Sequence, residues 1–95
     1  MMAADQNIWS EDRKICRICL RIDPRALDMF KSYYEDRDTL YCDMLAYCSK
    51  VMVHMKDGLP PYLCRNCIAH LIDAYEFNLE CEETEKNFHW LLTVR

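Results

Sequence analysis

The chain has 95 residues, of which 52% are hydrophobic and 29% are charged, and it contains a single glycine. This composition excludes a disordered tail, and a chain of this length forms one domain that buries only about 60% of its unfolded surface, so its core needs additional stabilisation. The formal net charge of −4 and the scattered basic residues argue against direct binding to nucleic acid, and no apolar run is long enough to cross a membrane.

The N-terminal segment is polar and precedes the predicted domain. Residues 1–13 contain few apolar side chains besides Ile8 and Trp9, so we predict a flexible lead-in whose anchor is Trp9. The segment has no apolar run like that of a signal peptide, and an intracellular, soluble protein is therefore expected. The folded domain is predicted over residues 14–95.

The first part of the domain predicts a turn followed by a strand. The segment 15–20 (ICRICL) is an apolar knuckle, and Asp23-Pro24 ends any regular structure that begins there. Weak alternation and several aromatic residues favour one short strand within 26–34.

The next elements are predicted to be a short helix, a strand and a long helix. A spacing of three and four residues predicts a helix over 40–48, with Asp38 or Thr39 as its cap. Alternating valines predict a strand over 51–55, and Asp57-Gly58 supplies the turn that ends it. About 30 residues without Gly or Pro follow, and they predict one helix that begins near Cys64.

Two CxxC pairs, Cys16 with Cys19 and Cys64 with Cys67, are the strongest signal in the sequence. Two residues between thiolates allow a knuckle to present both sulfurs to one tetrahedral ion, so the two pairs together predict one structural Zn²⁺ per chain. A shell of four protein ligands leaves no open position for a substrate, which argues against an enzyme. The alternative is that the pairs are core cysteines without a metal.

A folded insert must separate the two pairs. The 44 intervening residues (20–63) exceed the spacing of a simple zinc ribbon, and the predicted strands and helix fill them. The fold class predicted is therefore α+β: a small, zinc-stabilised, treble-clef-like domain with a short two-stranded sheet, a short helix and a long C-terminal helix.

The other cysteines and the histidines carry weaker signals. Cys42, Cys48 and Cys81 stand alone on apolar helix faces, where buried packing is the expected role. His70 follows the second pair by three residues, and we interpret it as a surface or interface residue because four thiolates already complete the metal shell. His54 and His89 have no neighbours in sequence that would make them catalytic.

The long helix is predicted to have two apolar faces. An inner stripe, consisting of Ile68, Ile72, Tyr75 and Leu79, can pack on the domain. An outer stripe follows the four-and-three alternation of a packed helix pair. The outer stripe consists of His70, Ala74, Phe77, Cys81, Thr84, Phe88, Leu91 and Leu92. Because the helix runs about 30 Å beyond the zinc site, we predict that this stripe is a dimer interface. The alternative is that the end of the helix folds back onto its own domain.

Three segments resemble the zinc-finger-associated domain of insect zinc-finger transcription factors. They are CRICL at 16–20, DGLPPYLCRNC at 57–67 and AYEFNLECEE at 74–83, and the resemblance extends over about residues 14–92. It implies that Cys16, Cys19, Cys64 and Cys67 bind zinc and that Arg17 occupies an arginine position within the first knuckle.

The resemblance also implies a role for the parent protein. In that family the domain mediates homodimerisation of nuclear proteins whose downstream zinc fingers bind DNA, so we expect an isolated domain of a longer transcription factor that does not itself contact nucleic acid. The main alternative function is a hetero-partner adaptor that recruits chromatin or cofactor proteins through the same helix.

Overall fold

The computed structural model describes residues 13–94, and the predicted lead-in with its Trp9 anchor lies outside them except for Arg13. The predicted strand within 26–34 is two strands, β1 (Leu27–Asp28) and β2 (Tyr33–Tyr34). Asp28 separates them because its carboxylate accepts from the Phe30 N–H at 2.9 Å, and this local hydrogen bond turns the chain.

The predicted α+β class is confirmed, but each of these strands belongs to a different antiparallel sheet, so residues 13–94 contain two two-stranded sheets where one was predicted. β1 pairs with β4 (Tyr62–Leu63), with Leu27 opposite Leu63. β2 pairs with β3 (Thr39–Leu40), with Tyr33 opposite Leu40. In the β1–β4 sheet, β4 lies immediately before Cys64. This sheet therefore positions the start of the second CxxC pair.

The predicted strand over 51–55 is wrong. These residues form no strand, and Val51, Met52 and Met55 are largely exposed. The partner of β1 is instead β4, which begins immediately after Pro60-Pro61, and the Pro61 carbonyl accepts from the Met29 N–H at 2.9 Å. The strand beside β1 is therefore β4 and not the segment that contains the alternating valines.

The short helix is confirmed, but its predicted cap is wrong. Helix α1 spans Tyr41–Cys48, and Leu40 is its N-cap without any side-chain hydrogen bond. Backbone carbonyls from the segment between β1 and β2 accept from the free N–H groups of the helix instead. The Ser32 carbonyl accepts from the Tyr41 N–H at 3.1 Å, and the Met29 carbonyl accepts from the Cys42 N–H at 3.0 Å. Because these carbonyls lie nine and thirteen residues before the N–H groups that they accept from, this cap has no local signature in the sequence.

A small apolar core lies between α1 and the first half of the long helix. Its buried members are Met29, Tyr41, Met44, Leu45, Leu63, Ile68 and Leu71. Cys42 and Cys48 are half-buried and pack against it, as predicted. Cys81 is exposed, so the prediction that it packs in the core is wrong.

The long helix α2 spans Arg65–Thr93, and at 1.5 Å per residue it is about 43 Å long. Its inner stripe contacts the core through Ile68, which is buried, and through Ile72 and Tyr75, which are half-buried; Leu79 is also half-buried. Every residue from 80 to 94 is exposed, and the molecule measures 67 × 23 × 21 Å. The helix therefore projects beyond the domain, and the alternative in which its end folds back is wrong. No helix in the described range is both long enough and apolar enough to span a membrane.

Candidate metal centre

The two CxxC pairs come together at one end of the domain. The four sulfurs of Cys16, Cys19, Cys64 and Cys67 all lie within 4.8 Å of one another, and Cys19 Sγ and Cys64 Sγ are 3.6 Å apart. A tetrahedral zinc ion with Zn–S bonds of 2.3 Å requires sulfurs about 3.8 Å apart. The cluster therefore matches the ligand set and the size of a structural zinc site, as the sequence predicted.

Backbone hydrogen bonds shape the first knuckle. The Cys16 carbonyl accepts from Leu20 N–H at 3.0 Å, and Cys16 N–H donates to the Arg21 carbonyl at 2.8 Å. The Ile18 N–H donates to Cys16 Sγ at 3.4 Å. Leu20 adopts a left-handed backbone conformation with φ of 69°, which turns the chain immediately after the second ligand.

The second pair lies at the start of α2. Cys64 is the N-cap residue, and its sulfur accepts from the Cys67 N–H at 3.4 Å. Here a cysteine replaces the Ser or Asp that usually caps a helix, and the positive end of the helix dipole favours its thiolate form. Asp23, which follows the first knuckle, accepts from the Arg65 N–H at 3.1 Å and so joins the two parts of the site.

The surroundings of the four sulfurs affect how readily each thiol ionises. Burial opposes the charged form of Cys16, but backbone N–H groups of Cys64, Cys19 and Ile18 outweigh it and lower the pKa of Cys16 to about 7. Burial raises the pKa of Cys64, and burial together with the neighbouring sulfurs raises the pKa of Cys67. One thiolate is thus favoured, whereas four thiolates this close together would be stabilised by a divalent cation.

An ion pair beside the cluster was not predicted. The Arg17 guanidinium donates to Asp57 Oδ2 at 2.7 Å and to the Pro60 carbonyl at 3.2 Å. The two side chains are only 9% and 19% exposed, and hydrogen bonding to Arg17 lowers the pKa of Asp57 to about 2. In the sequence, Arg17 lies between two predicted ligands and Asp57 lies in a predicted turn. Neither position indicates that the two side chains form an ion pair.

A second unpredicted ion pair links the β2–β3 hairpin to the long helix. Arg37, in the turn between β2 and β3, donates to both carboxylate oxygens of Glu76 at 2.9 and 2.6 Å. The Tyr34 hydroxyl donates to the same carboxylate at 3.1 Å. These bonds attach the β2–β3 hairpin to α2 near the point where the helix leaves the domain.

The predicted interface residues all lie on the solvent side of α2. The whole outer stripe is exposed, including Phe77 at 65%, Phe88 at 59% and Leu92 at 65%. His70 is exposed and is not among the clustered ligands. Trp90, which the predicted interface omits, is 62% exposed and lies three helical turns after Leu79, on the continuation of the inner stripe.

Comparison with known proteins agrees with this geometry. The family model of the zinc-finger associated domain (zf-AD) matches residues 15–90, which include all four clustered cysteines and most of α2. A comparison with curated proteins finds no match. Since the family match covers most of the chain and the cysteines that define the site converge, the chain belongs to the zinc-finger associated domain family, whose members are zinc-binding domains of transcription factors and generally mediate protein interactions.

Proposed function

We propose that this domain forms a homodimer through the outer stripe of α2. The observation that carries the proposal is the exposure of large apolar side chains along a helix that has left its own domain. Phe77, Phe88, Leu91 and Leu92 are each at least half exposed. Large exposed apolar side chains that share one helix face are typical of interaction surfaces.

The spacing of the stripe favours a second copy of the chain as its partner. The steps alternate between four and three residues from His70 to Leu91, which is the repeat that keeps one helix face against another helix. In a two-fold dimer the same surface meets itself, so one stripe supplies both sides of the interface. Aromatic residues such as Phe77 and Phe88 contribute strongly when buried in this way.

The biological role follows from dimerisation of a larger protein. Two copies joined through this domain would bring two sets of DNA-binding fingers together, and the higher effective concentration would raise their avidity for DNA. We place the protein in the nucleus and assign this domain neither DNA contact nor catalysis. Its net charge of −4 repels phosphate, and a closed shell of four sulfurs offers a substrate no position on the metal.

The test is a substitution within the outer stripe with a matched control outside it. In the proposed dimer, Phe88→Asp buries one charge from each chain in the interface between the two outer stripes. It should raise the dimer dissociation constant at least about a hundredfold. Thr93→Asp adds the same charge on the face of the helix that points away from the outer stripe, and it should leave the constant nearly unchanged. Sedimentation velocity of the zinc-loaded chains over a range of concentrations gives both values.

Two results would overturn the homodimer. If the unmodified chain sediments as a monomer at every concentration, the stripe serves a different protein, as in the hetero-partner alternative. If Phe88→Asp retains the dimer of the unmodified chain, the interface lies elsewhere on the molecule. Circular dichroism of both variants distinguishes a loss of association from a loss of folding.

A further inference from the structure

The ion pair between Arg17 and Asp57 connects the same two parts of the chain that the zinc ion connects. Arg17 lies between the ligands Cys16 and Cys19, and its guanidinium bonds to Asp57 and to the Pro60 carbonyl. Pro60 precedes the ligand Cys64 by four residues. The Arg17 N–H also donates to the Tyr62 carbonyl at 2.7 Å. The segment that leads to the second pair of ligands is thus held against the first knuckle by both the backbone and the side chain of one residue.

Asp57 is itself fixed by the turn in which it lies. Its carboxylate accepts from the His54 N–H at 3.2 Å and from the Leu59 N–H at 3.0 Å, in addition to the Arg17 guanidinium. Gly58, at φ of 81°, provides the left-handed conformation that lets the turn close. The carboxylate therefore cannot move toward Arg17 or away from it without breaking the turn.

We propose that Arg17 and Asp57 form a latch that controls how quickly the domain releases zinc. When one sulfur leaves the ion, the latch keeps the two knuckles in register, so the sulfur rebinds before the remaining ligands separate. This is the advantage that any second link gives to a multivalent complex, because the lost contact reforms as an intramolecular step. Arg17 and Asp57 act here as positioning residues, since neither is a ligand.

The position and burial of the pair separate it from an ordinary surface ion pair. Arg17 and Asp57 are mostly buried, and a charge-assisted bond shielded from water is stronger than one at the surface. The pair of Arg37 and Glu76 is more exposed, at 45% and 37%. That pair joins the β2–β3 hairpin to α2 and touches neither knuckle, so it provides the matched control.

The experiment measures zinc release from the full chain into an excess of a chromogenic zinc chelator, with the helix signal followed in parallel by circular dichroism. Asp57→Asn removes the charge but keeps the shape of the side chain, and it should release zinc about tenfold faster. Glu76→Gln removes the carboxylate of the control pair and should stay within about twofold of the unmodified chain.

Arg17→Lys supplies a milder test that retains the positive charge. Lysine has no planar fork and cannot hold Asp57 and Pro60 together as arginine does, so we expect release at an intermediate rate. Because both substitutions break one latch, the double variant should release zinc little faster than Asp57→Asn alone. Additive effects would show that the two residues act independently and would contradict the latch.

The control decides between a latch and a general loss of stability. Equal release rates for the unmodified chain and for Asp57→Asn would overturn the proposal. It would also be overturned if Glu76→Gln accelerates release as much as Asp57→Asn, because release would then follow the stability of the whole domain. Neither result depends on whether the chain forms dimers through α2.

Discussion

Leu20 is the residue whose local conformation is least suited to its side chain. Its φ of 69° lies in the left-handed region, and the side chain is 77% exposed. Only glycine, and to a lesser extent asparagine, adopts this conformation at low cost. The leucine is therefore strained, and it makes few contacts within the chain that could offset the strain.

We expect Leu20→Gly to stabilise the domain by about 0.5–1 kcal/mol, because relief of the backbone strain exceeds the entropy that glycine adds to the unfolded chain. Ile18→Gly is the control, since Ile18 is also exposed and has no positive φ, and it should destabilise the domain. Chemical denaturation at a fixed excess of zinc measures both. A lower midpoint for Leu20→Gly would mean that the side chain makes a stabilising contact, for example with a second copy.

The ligand residues are where prediction from sequence succeeds. A CxxC pair is a local pattern, and two of them in one short chain identify the four cysteines without any knowledge of the path between them. Arg17 and Asp57 could not be paired in the same way, because forty residues of chain separate them. Their contact follows from the packing of the insert, which only the three-dimensional structure supplies.

At the scale of elements, helices were predicted far better than strands. Both helices contain enough residues for the three-and-four spacing of apolar positions to be recognisable, as with Met44 and Leu45, which follow Tyr41 by three and four residues in α1. Each strand has only two residues, which is too short for an alternating pattern. A strand of this length forms where another strand lies beside it, and not because of its own sequence pattern. The alternation at 51–55 was therefore a poor guide, and the structure contains no strand there.

The packing of α1 on α2 carries a prediction that compares two methionines. Met44 is fully buried in the core between the helices, whereas Met52 is 72% exposed in the irregular segment. Met44→Ala should lower the free energy of unfolding by about 2–5 kcal/mol, because it leaves a cavity among well-packed side chains. Met52→Ala should change it by less than about 0.5 kcal/mol.

Urea denaturation at a fixed excess of zinc gives the two values. Equal effects of the two substitutions would show that the core assigned here does not stabilise the domain. The comparison is useful because the chemical change is the same and only the burial differs.

At the scale of the whole molecule, the domain consists of a small folded body, which contains the core and the four clustered cysteines, and the part of α2 that projects beyond it. Within residues 13–94, the core between the helices has seven buried residues, and a core of this size gives little stability to a chain of this length. A structural zinc ion contributes on the order of 10 kcal/mol, which is comparable to the total stability of a small domain. The projection of α2 could be predicted from its length, but the ion pair of Arg37 and Glu76, which links α2 to the β2–β3 hairpin, could not.

The central claim is that one zinc ion bound by Cys16, Cys19, Cys64 and Cys67 folds the body and thereby orders the start of α2. Isolated helices are marginal in water, so the metal-free chain should lose most of its helix signal. Cys64→Ser removes a ligand and should prevent the gain of helix on addition of zinc. Cys81→Ser makes the same change at an exposed position and should behave like the unmodified chain.

The most direct measurement is a titration of zinc into the reduced, metal-free chain, followed by far-ultraviolet circular dichroism. We predict a helix signal that rises in proportion to added zinc and stops at one ion per chain. A metal-free chain that already has the full helix signal, or one that shows no break at one equivalent, would contradict the account.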